Sequence, residues 1–267
     1  LDALDDPRAS ASLLILEVGN SHVSVATSVA DRVYTNFRFE LSDADGVDRA
    51  AAEAWEALPK DRMRAAAAAS VVPEVMDDLR QRISGIIGED LRCVGAELHR
   101  PLSLAIEEPD LVGLDRVCAA AAAYETLGHA CAVASFGTAI TIDCVNDEGV
   151  FMGGSILPGL FLQARSLATG TAQLPEVTIE APTSVFGTDT ASAIRNGIVY
   201  GVVGGIREIV ERYADALGQW PNLVATGGGA DLIRSQCDFI DHVVPDLCIR
   251  GIALAHKRHY STFRESQ

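Results

Sequence analysis

The feature that most constrains this chain is a β-hairpin motif written twice. Residues 12–18 (Ser-Leu-Leu-Ile-Leu-Glu-Val) are an apolar run that reads as a buried strand. The run meets a turn at Gly19-Asn20-Ser21 and continues as an alternating strand over 22–27. Residues 130–136 repeat the apolar run, Gly137-Thr138-Ala139 repeat the turn, and 140–145 repeat the outgoing strand. Gly19 and Gly137 lie 118 residues apart in a chain of 267, a period far too long for a solenoid. Two similar domains are therefore expected, each offering one polar hairpin tip to a shared cleft. The boundary is placed near the helix 115–127, giving domains 1–127 and 128–267.

The rest of the pattern is helical between strands. Residues 32–39 read as a weaker strand, and 47–58, 73–87, 160–167, 188–217 and 249–262 have helical spacing. That alternation makes the class α/β. The alanine run 65–69 is undecided, since propensity favours helix and the following Ser-Val-Val-Pro looks like a strand end. With 48% hydrophobic and 22% charged residues the chain has enough apolar material for sizeable cores.

A net charge of −16 argues against nucleic acid and anionic membranes as partners, because phosphates are repelled over most of such a surface. A small anionic ligand held by a few Arg or backbone N–H groups stays open. The six cysteines form no CxxC pair and are expected as buried, reduced thiols. The six histidines form no cluster in sequence. The opening Leu1-Asp2-Ala3-Leu4-Asp5-Asp6 lacks the form of a signal peptide, and no apolar run approaches a membrane span, so a cytoplasmic location is expected.

Four stretches have the residue types for chemistry. A glycine turn with a hydroxyl or amide beside it can cradle phosphate, which makes Gly19-Asn20-Ser21 and Gly137-Thr138-Ala139 candidates. Gly113-Leu114-Asp115-Arg116 precedes an alanine-rich helix. Asp115 there is either an N-cap or a general base, with Arg116 beside it to bind an anionic group. Thr226-Gly227-Gly228-Gly229 follows a strand-like run. It suits either a flexible loop or a flat ligand laid against bare backbone. Neither GxxxxGK[ST] nor GxGxxG occurs.

Taken together these stretches resemble the type III pantothenate kinase family. The matching pieces are Glu-Val-Gly-Asn-Ser at 17–21, Ser-Val-Val-Pro at 70–73 and Gly-Leu-Asp-Arg at 113–116. They continue with Phe-Gly-Thr-Ala-Ile-Thr-Ile-Asp at 136–143, Gly-Gly-Ser-Ile-Leu-Pro-Gly-Leu at 153–160 and Thr-Gly-Gly-Gly at 226–229. The resemblance implies two ribonuclease-H-like (actin-like ATPase) domains with a cleft between them. It also implies ATP as donor and pantothenate as acceptor, with 4′-phosphopantothenate, an intermediate towards coenzyme A, as product. A divalent metal such as Mg²⁺, a monovalent cation (K⁺ or NH₄⁺) and a homodimer come with the family.

Carried onto this chain, Glu17, Val18, Gly19, Asn20, Ser21, His22, Val23 and Ser24 would hold ATP phosphates, with Thr138 contributing and Gly227 and Gly228 near the adenosine. Gly113, Leu114, Asp115, Arg116 and Thr190 would hold pantothenate, with Asp115 the base. Two positions depart from the family pattern. Glu17 stands where the family has Asp, as the divalent-metal carboxylate, and Ser135 stands where a monovalent-cation Asp is usual. The alternative is a divergent, weakly active or regulatory nucleotide-binding paralogue.

Overall fold

The computed structural model describes residues 6–262; the acidic opening Leu1–Asp5 lies outside them. The elements, in chain order, are β1 (Ser12–Val18), β2 (His22–Val29), β3 (Arg32–Glu40), α1 (Ala44–Ala57), β4 (Arg64–Ser70), α2 (Pro73–Ile87), β5 (Leu91–Cys93) and β6 (Ser103–Leu104). They continue as α3 (Leu114–Leu127), β7 (Cys131–Phe136), β8 (Ala139–Val145), β9 (Val150–Pro158), α4 (Leu160–Gly170) and α5 (Thr190–Leu217). β10 (Asn222–Gly227), α6 (Ala230–Arg234), β11 (His242–Val243) and α7 (Leu247–Thr262) complete the chain.

The chain folds into two compact units. The first gathers 6–103, 108–122 and 246–262; the second gathers 104–107 and 123–245. A single cut between 127 and 128 does not describe this division, because α7 rejoins the first unit.

The first unit holds a five-stranded sheet in the order β3-β2-β1-β4-β5. β1 pairs antiparallel with β2 and parallel with β4; β2 pairs antiparallel with β3, and β4 parallel with β5. The alanine run 65–69 is thus a strand. Ala66 to Ala69 are buried in a strand between parallel neighbours, and that burial overrides helix propensity. Alternation along β1 divides its side chains between two faces. Leu14, Leu16 and Val18 join α1 and α2 in one core, with Val47, Ala51, Trp55, Leu79 and Ile83. Leu13, Ile15 and Glu17 take the other face, and α7 packs against β1 and β4.

The second unit repeats the plan. Its sheet runs β11-β10-β7-β8-β9-β6. The senses match strand for strand: β7 antiparallel to β8, β8 antiparallel to β9, β7 parallel to β10 and β10 parallel to β11. The duplication expected from the two hairpins is therefore one of whole sheet topologies. Ala132, Ala134, Phe136, Ile140, Ile142, Leu223 and Ala225 meet residues of α4, α5 and α6 in a second core. α5 starts at Thr190 with Asp189 as N-cap: the Asp189 carboxylate accepts from Ser192 N–H, and Ser192 Oγ accepts in return from Asp189 N–H.

Candidate active site

In the first unit the β1–β2 turn closes by Gly19 N–H donating to His22 O at 2.9 Å. The glycine's own N–H is spent on the turn, so what the tip presents is the exposed Asn20 and the residues beside it. Glu17, Ser24 and Arg38 form a lateral row, since Glu17 pairs Ser24 and Ser24 pairs Arg38 across the strands. Arg38 Nη2 lies 3.4 Å from His22 Nδ1, and His22 Nε2 lies 3.2 Å from Glu40. The tip of an acidic chain thereby carries a local cation.

Burial raises the Glu17 carboxyl above its ordinary range. Hydrogen bonds from Cys248 and Ser24 act against that rise, the negative charge of Asp115 adds to it, and Arg38 offsets it.

Asp115 sits at the second position of α3 and is not its N-cap. Gly113 O accepts from Arg116 N–H (3.1 Å) and Val117 N–H (3.4 Å), which makes Gly113 the capping residue. The Asp115 carboxylate folds back over it. Oδ1 accepts the Arg116 N–H at 2.8 Å and would lie 2.5 Å from a Cβ at position 113. Gly113 is there to leave room for the carboxylate. Burial raises the Asp115 carboxyl; the Arg116 N–H and guanidinium oppose that.

In the second unit three glycine turns meet around Phe136. Gly137 N–H closes the β7–β8 turn onto Ala139 O at 3.0 Å, and Thr138 is exposed at its tip. Gly159, at the start of α4, donates to Thr138 O at 3.0 Å, and a Cβ there would lie 2.8 Å from the Thr138 carbonyl carbon. Gly227 ends β10 with φ +90, a conformation suited to glycine, and a Cβ there would lie 2.5 Å from Phe136 O. A Cβ on Gly229 would lie 3.1 Å from Phe136 Cβ. The result is a bare backbone surface flanked by one hydroxyl, Thr138. Gly228 is exposed on it.

Ser135 is half-buried, and the register sets Thr226, Ser135 and Thr141 side by side on three strands. Thr141 Oγ1 is buried without a hydrogen-bond partner. The row offers neutral oxygens only. Thr190, the first residue of α5, is exposed.

Two participants escaped sequence reasoning. Arg38 was in principle readable, because alternation through the hairpin puts it on the Glu17 face. Cys248 was not, since 231 residues of sequence separate it from Glu17. Among the described residues no group of three or more His, Cys, Asp or Glu is placed to hold a metal ion, and no helix is long and apolar enough to cross a membrane. The histidines do gather: His99 and His259 meet edge to face with ring centroids 4.6 Å apart, and the His256 and Tyr260 rings lie tilted at 4.9 Å. All six cysteines are free thiols, four of them buried.

A model of the type III pantothenate kinase family matches residues 13–212. A type III pantothenate kinase of Agathobacter rectalis is 31% identical over 252 residues, covering 92% of this chain and 97% of its own length. Among solved structures, a conserved protein of the Baf transcriptional-activator family from Campylobacter jejuni superposes with a TM-score of 0.59 at 19% identity, over 92% of this chain and 98% of that one. The ethanolamine utilization protein EutJ from Carboxydothermus hydrogenoformans gives 0.52 at 16% identity, over 94% and 92%. The Alp12 filament gives 0.50 at 10%, over 95% and 99%. At these identities the structural likenesses speak for the α/β fold alone.

Proposed function

Because the chain belongs to the type III pantothenate kinase family, we propose a division of labour among its residues for ATP-dependent phosphorylation of pantothenate, the first step of coenzyme A biosynthesis. Asp115 is the base that takes the proton of the attacking hydroxyl. Gly113, Leu114, Arg116 and Thr190 hold pantothenate, Arg116 by its charge. The loop from Glu17 to Ser24 and the hydroxyl of Thr138 hold ATP phosphates, and Gly227 and Gly228 lie against the adenosine.

The observation that carries this reading is the half-buried Asp115 carboxylate, held in place over Gly113 in the first turn of α3 with Arg116 beside it. Asp115 is fixed by a backbone N–H at 2.8 Å and has a cation as its neighbour in sequence. That suits a late proton acceptor. Glu17 lies opposite Ser24 in the register of β1 and β2. Phosphoryl transfer through a loose transition state asks mainly for positioning and neutralised charge, so a carboxylate that accepts the proton late suffices. As the hydroxyl oxygen bonds to the γ-phosphorus, the bond to the ADP oxygen breaks and the hydroxyl proton passes to Asp115.

Mg²⁺ is commonly bound by one or two carboxylates together with substrate phosphates, and Glu17 with Ser24 beside it fits that pattern. When bound with ATP the ion supplies charge neutralisation at the phosphate oxygens. At the monovalent site the hydroxyls of Thr226, Ser135 and Thr141 bring no net charge, so we assign this chain a weak dependence on K⁺ or NH₄⁺. We assign it a homodimer as well, supported by the exposed apolar side chains Met152, Ile156, Phe161 and Leu162 of the second unit, and a place in the cytoplasm.

The test is to incubate the purified protein with ATP, Mg²⁺ and pantothenate and assay 4′-phosphopantothenate by mass spectrometry, with Asp115→Asn alongside. Product from the unmodified chain and about 100-fold less from the variant support the assignment. Equal turnover by a folded Asp115→Asn protein removes Asp115 from the chemistry.

A further inference from the structure

The register across β1, β2 and β3 places Glu17, Ser24 and Arg38 in one row and His22 opposite Glu40 in the next. Residues directly opposite on neighbouring strands project from the same face of a sheet, so these five side chains share one face. Val23, Val25 and Phe39 take the other face and join the core with α1 and α2. Phe39 is tightly held there: a Cβ on Gly46 of α1 would lie 2.8 Å from Phe39 Cδ1. With Phe39 so anchored, alternation fixes Arg38 and Glu40 on the Glu17 face.

Arg38 is exposed on that face. Its Nη2 lies 3.4 Å from His22 Nδ1, and among the described residues no carboxylate is paired with it. A guanidinium has donors only, so His22 Nδ1 is the accepting nitrogen and the ring proton sits on Nε2. Nε2 faces Glu40 at 3.2 Å. Glu40 thus orients His22, and His22 orients Arg38. The ring takes one guanidinium donor and leaves the others for a ligand. The loop 17–24 contains no Lys or Arg, in a chain of net charge −16. A phosphate lodged at that loop needs a cation from a neighbouring strand, and the planar fork of an arginine matches phosphate oxygens two at a time.

We propose that Arg38 binds a phosphate group of the nucleotide, and that His22, held by Glu40, is a positioning residue that aims it. The inference rests on the role given above to the loop from Glu17 to Ser24, and deepens it: Arg38 supplies from β3 the fixed positive charge that the loop lacks.

The test is calorimetric binding of a non-hydrolysable ATP analogue and of adenosine, both with Mg²⁺, to the full chain and its variants. Arg38→Gln is expected to weaken the ATP analogue about tenfold or more and to leave adenosine unchanged, since only a charged hydrogen bond to phosphate is lost. Arg38→Lys keeps the charge without the fork and recovers part of the loss. His22→Ala is expected to weaken the analogue about threefold in the unmodified background and to add nothing in the Arg38→Gln background. Equal losses for analogue and adenosine overturn the proposal and leave Arg38 a structural residue. A loss confined to the KM for pantothenate overturns it too, and gives Arg38 to the acceptor's carboxylate. Equal losses from His22→Ala in both backgrounds remove His22 as the group that aims Arg38. If the unmodified chain binds no ATP analogue, the phosphate role of the loop fails and the inference with it. If the chain binds the analogue and a folded Arg38→Gln protein binds it equally well, only the inference falls.

Discussion

Gly251→Ala probes the close approach of α7 to α3 in the first unit. Alanine is the better helix former by about 1 kcal/mol, so on propensity alone the change stabilises α7. The structure predicts the opposite sign. The new Cβ would meet three backbone atoms of Cys118, the Cα at 2.6 Å and the carbonyl carbon and oxygen nearer than that. No side-chain rotation relieves a clash with backbone. Ordinary carbon contacts fall near 3.5–4.0 Å, so α7 and α3 must part by about 1 Å or more. Overpacking of this kind typically costs about 1–3 kcal/mol beyond any local gain. For a chain of this size that lowers Tm by roughly 2–4 °C for each kcal/mol. The assay is thermal unfolding by circular dichroism, with urea unfolding as a second measure. Binding of Mg²⁺ and an ATP analogue is followed in parallel, because α7 packs against β1, the strand that carries Glu17. A Gly251→Ala protein as stable as the unmodified chain refutes the reasoning, since it means the helices are not in backbone contact.

Asp115→Asn is expected to cut turnover about 100-fold or more with little change in ATP-analogue affinity. The same variant should gain stability relative to the unmodified chain as pH rises. A carboxyl whose folded pKa is raised carries no penalty below its unfolded value and the full penalty above its folded one, so unfolding curves at pH 3 and pH 8 should differ in this sense. His256 behaves in the opposite direction. Burial lowers it from 6.5 to about 4, so its contribution is intact above pH 6.5 and is lost as pH falls through that window, by up to about 3 kcal/mol; His256→Gln should flatten the acid limb of the stability profile. Turnover measured against potassium at constant ionic strength should be nearly flat, and Ser135→Asp should make it steeper; a strong requirement at low concentration in the unmodified chain contradicts the reading of Ser135.

What was legible in the sequence was local. The hairpins around Gly19 and Gly137 could be seen because alternation and a glycine tip are carried by consecutive residues. Their recurrence foretold two sheets of one topology. The Gly113–Arg116 stretch could be singled out, yet whether Asp115 caps α3 or stands inside it depends on which carbonyl starts the helix, and the structure gives that part to Gly113. The alanines of β4 could not be assigned, because a small apolar residue suits either element and only burial between β1 and β5 decides. His99 and His259, 160 residues apart, show no pattern before α7 brings them together. Cys248 stayed hidden for the same reason: no spacing rule links a residue on a late helix to the strand it supports.

The return of α7 to the first unit sets an order of events during synthesis. Residues 123–245 form a unit whose contacts are complete once that stretch has been made, whereas the sheet containing Glu17 waits. Its buried face towards α7, Leu13 and Ile15 included, has no helix to cover it until residues 247–262 have emerged. A nascent chain interrupted at 245 would thus carry a finished second unit beside an unfinished first one with apolar strand surface open to chaperones. The surroundings of Glu17 would be completed only then, although Glu17 itself is synthesised more than 200 residues earlier.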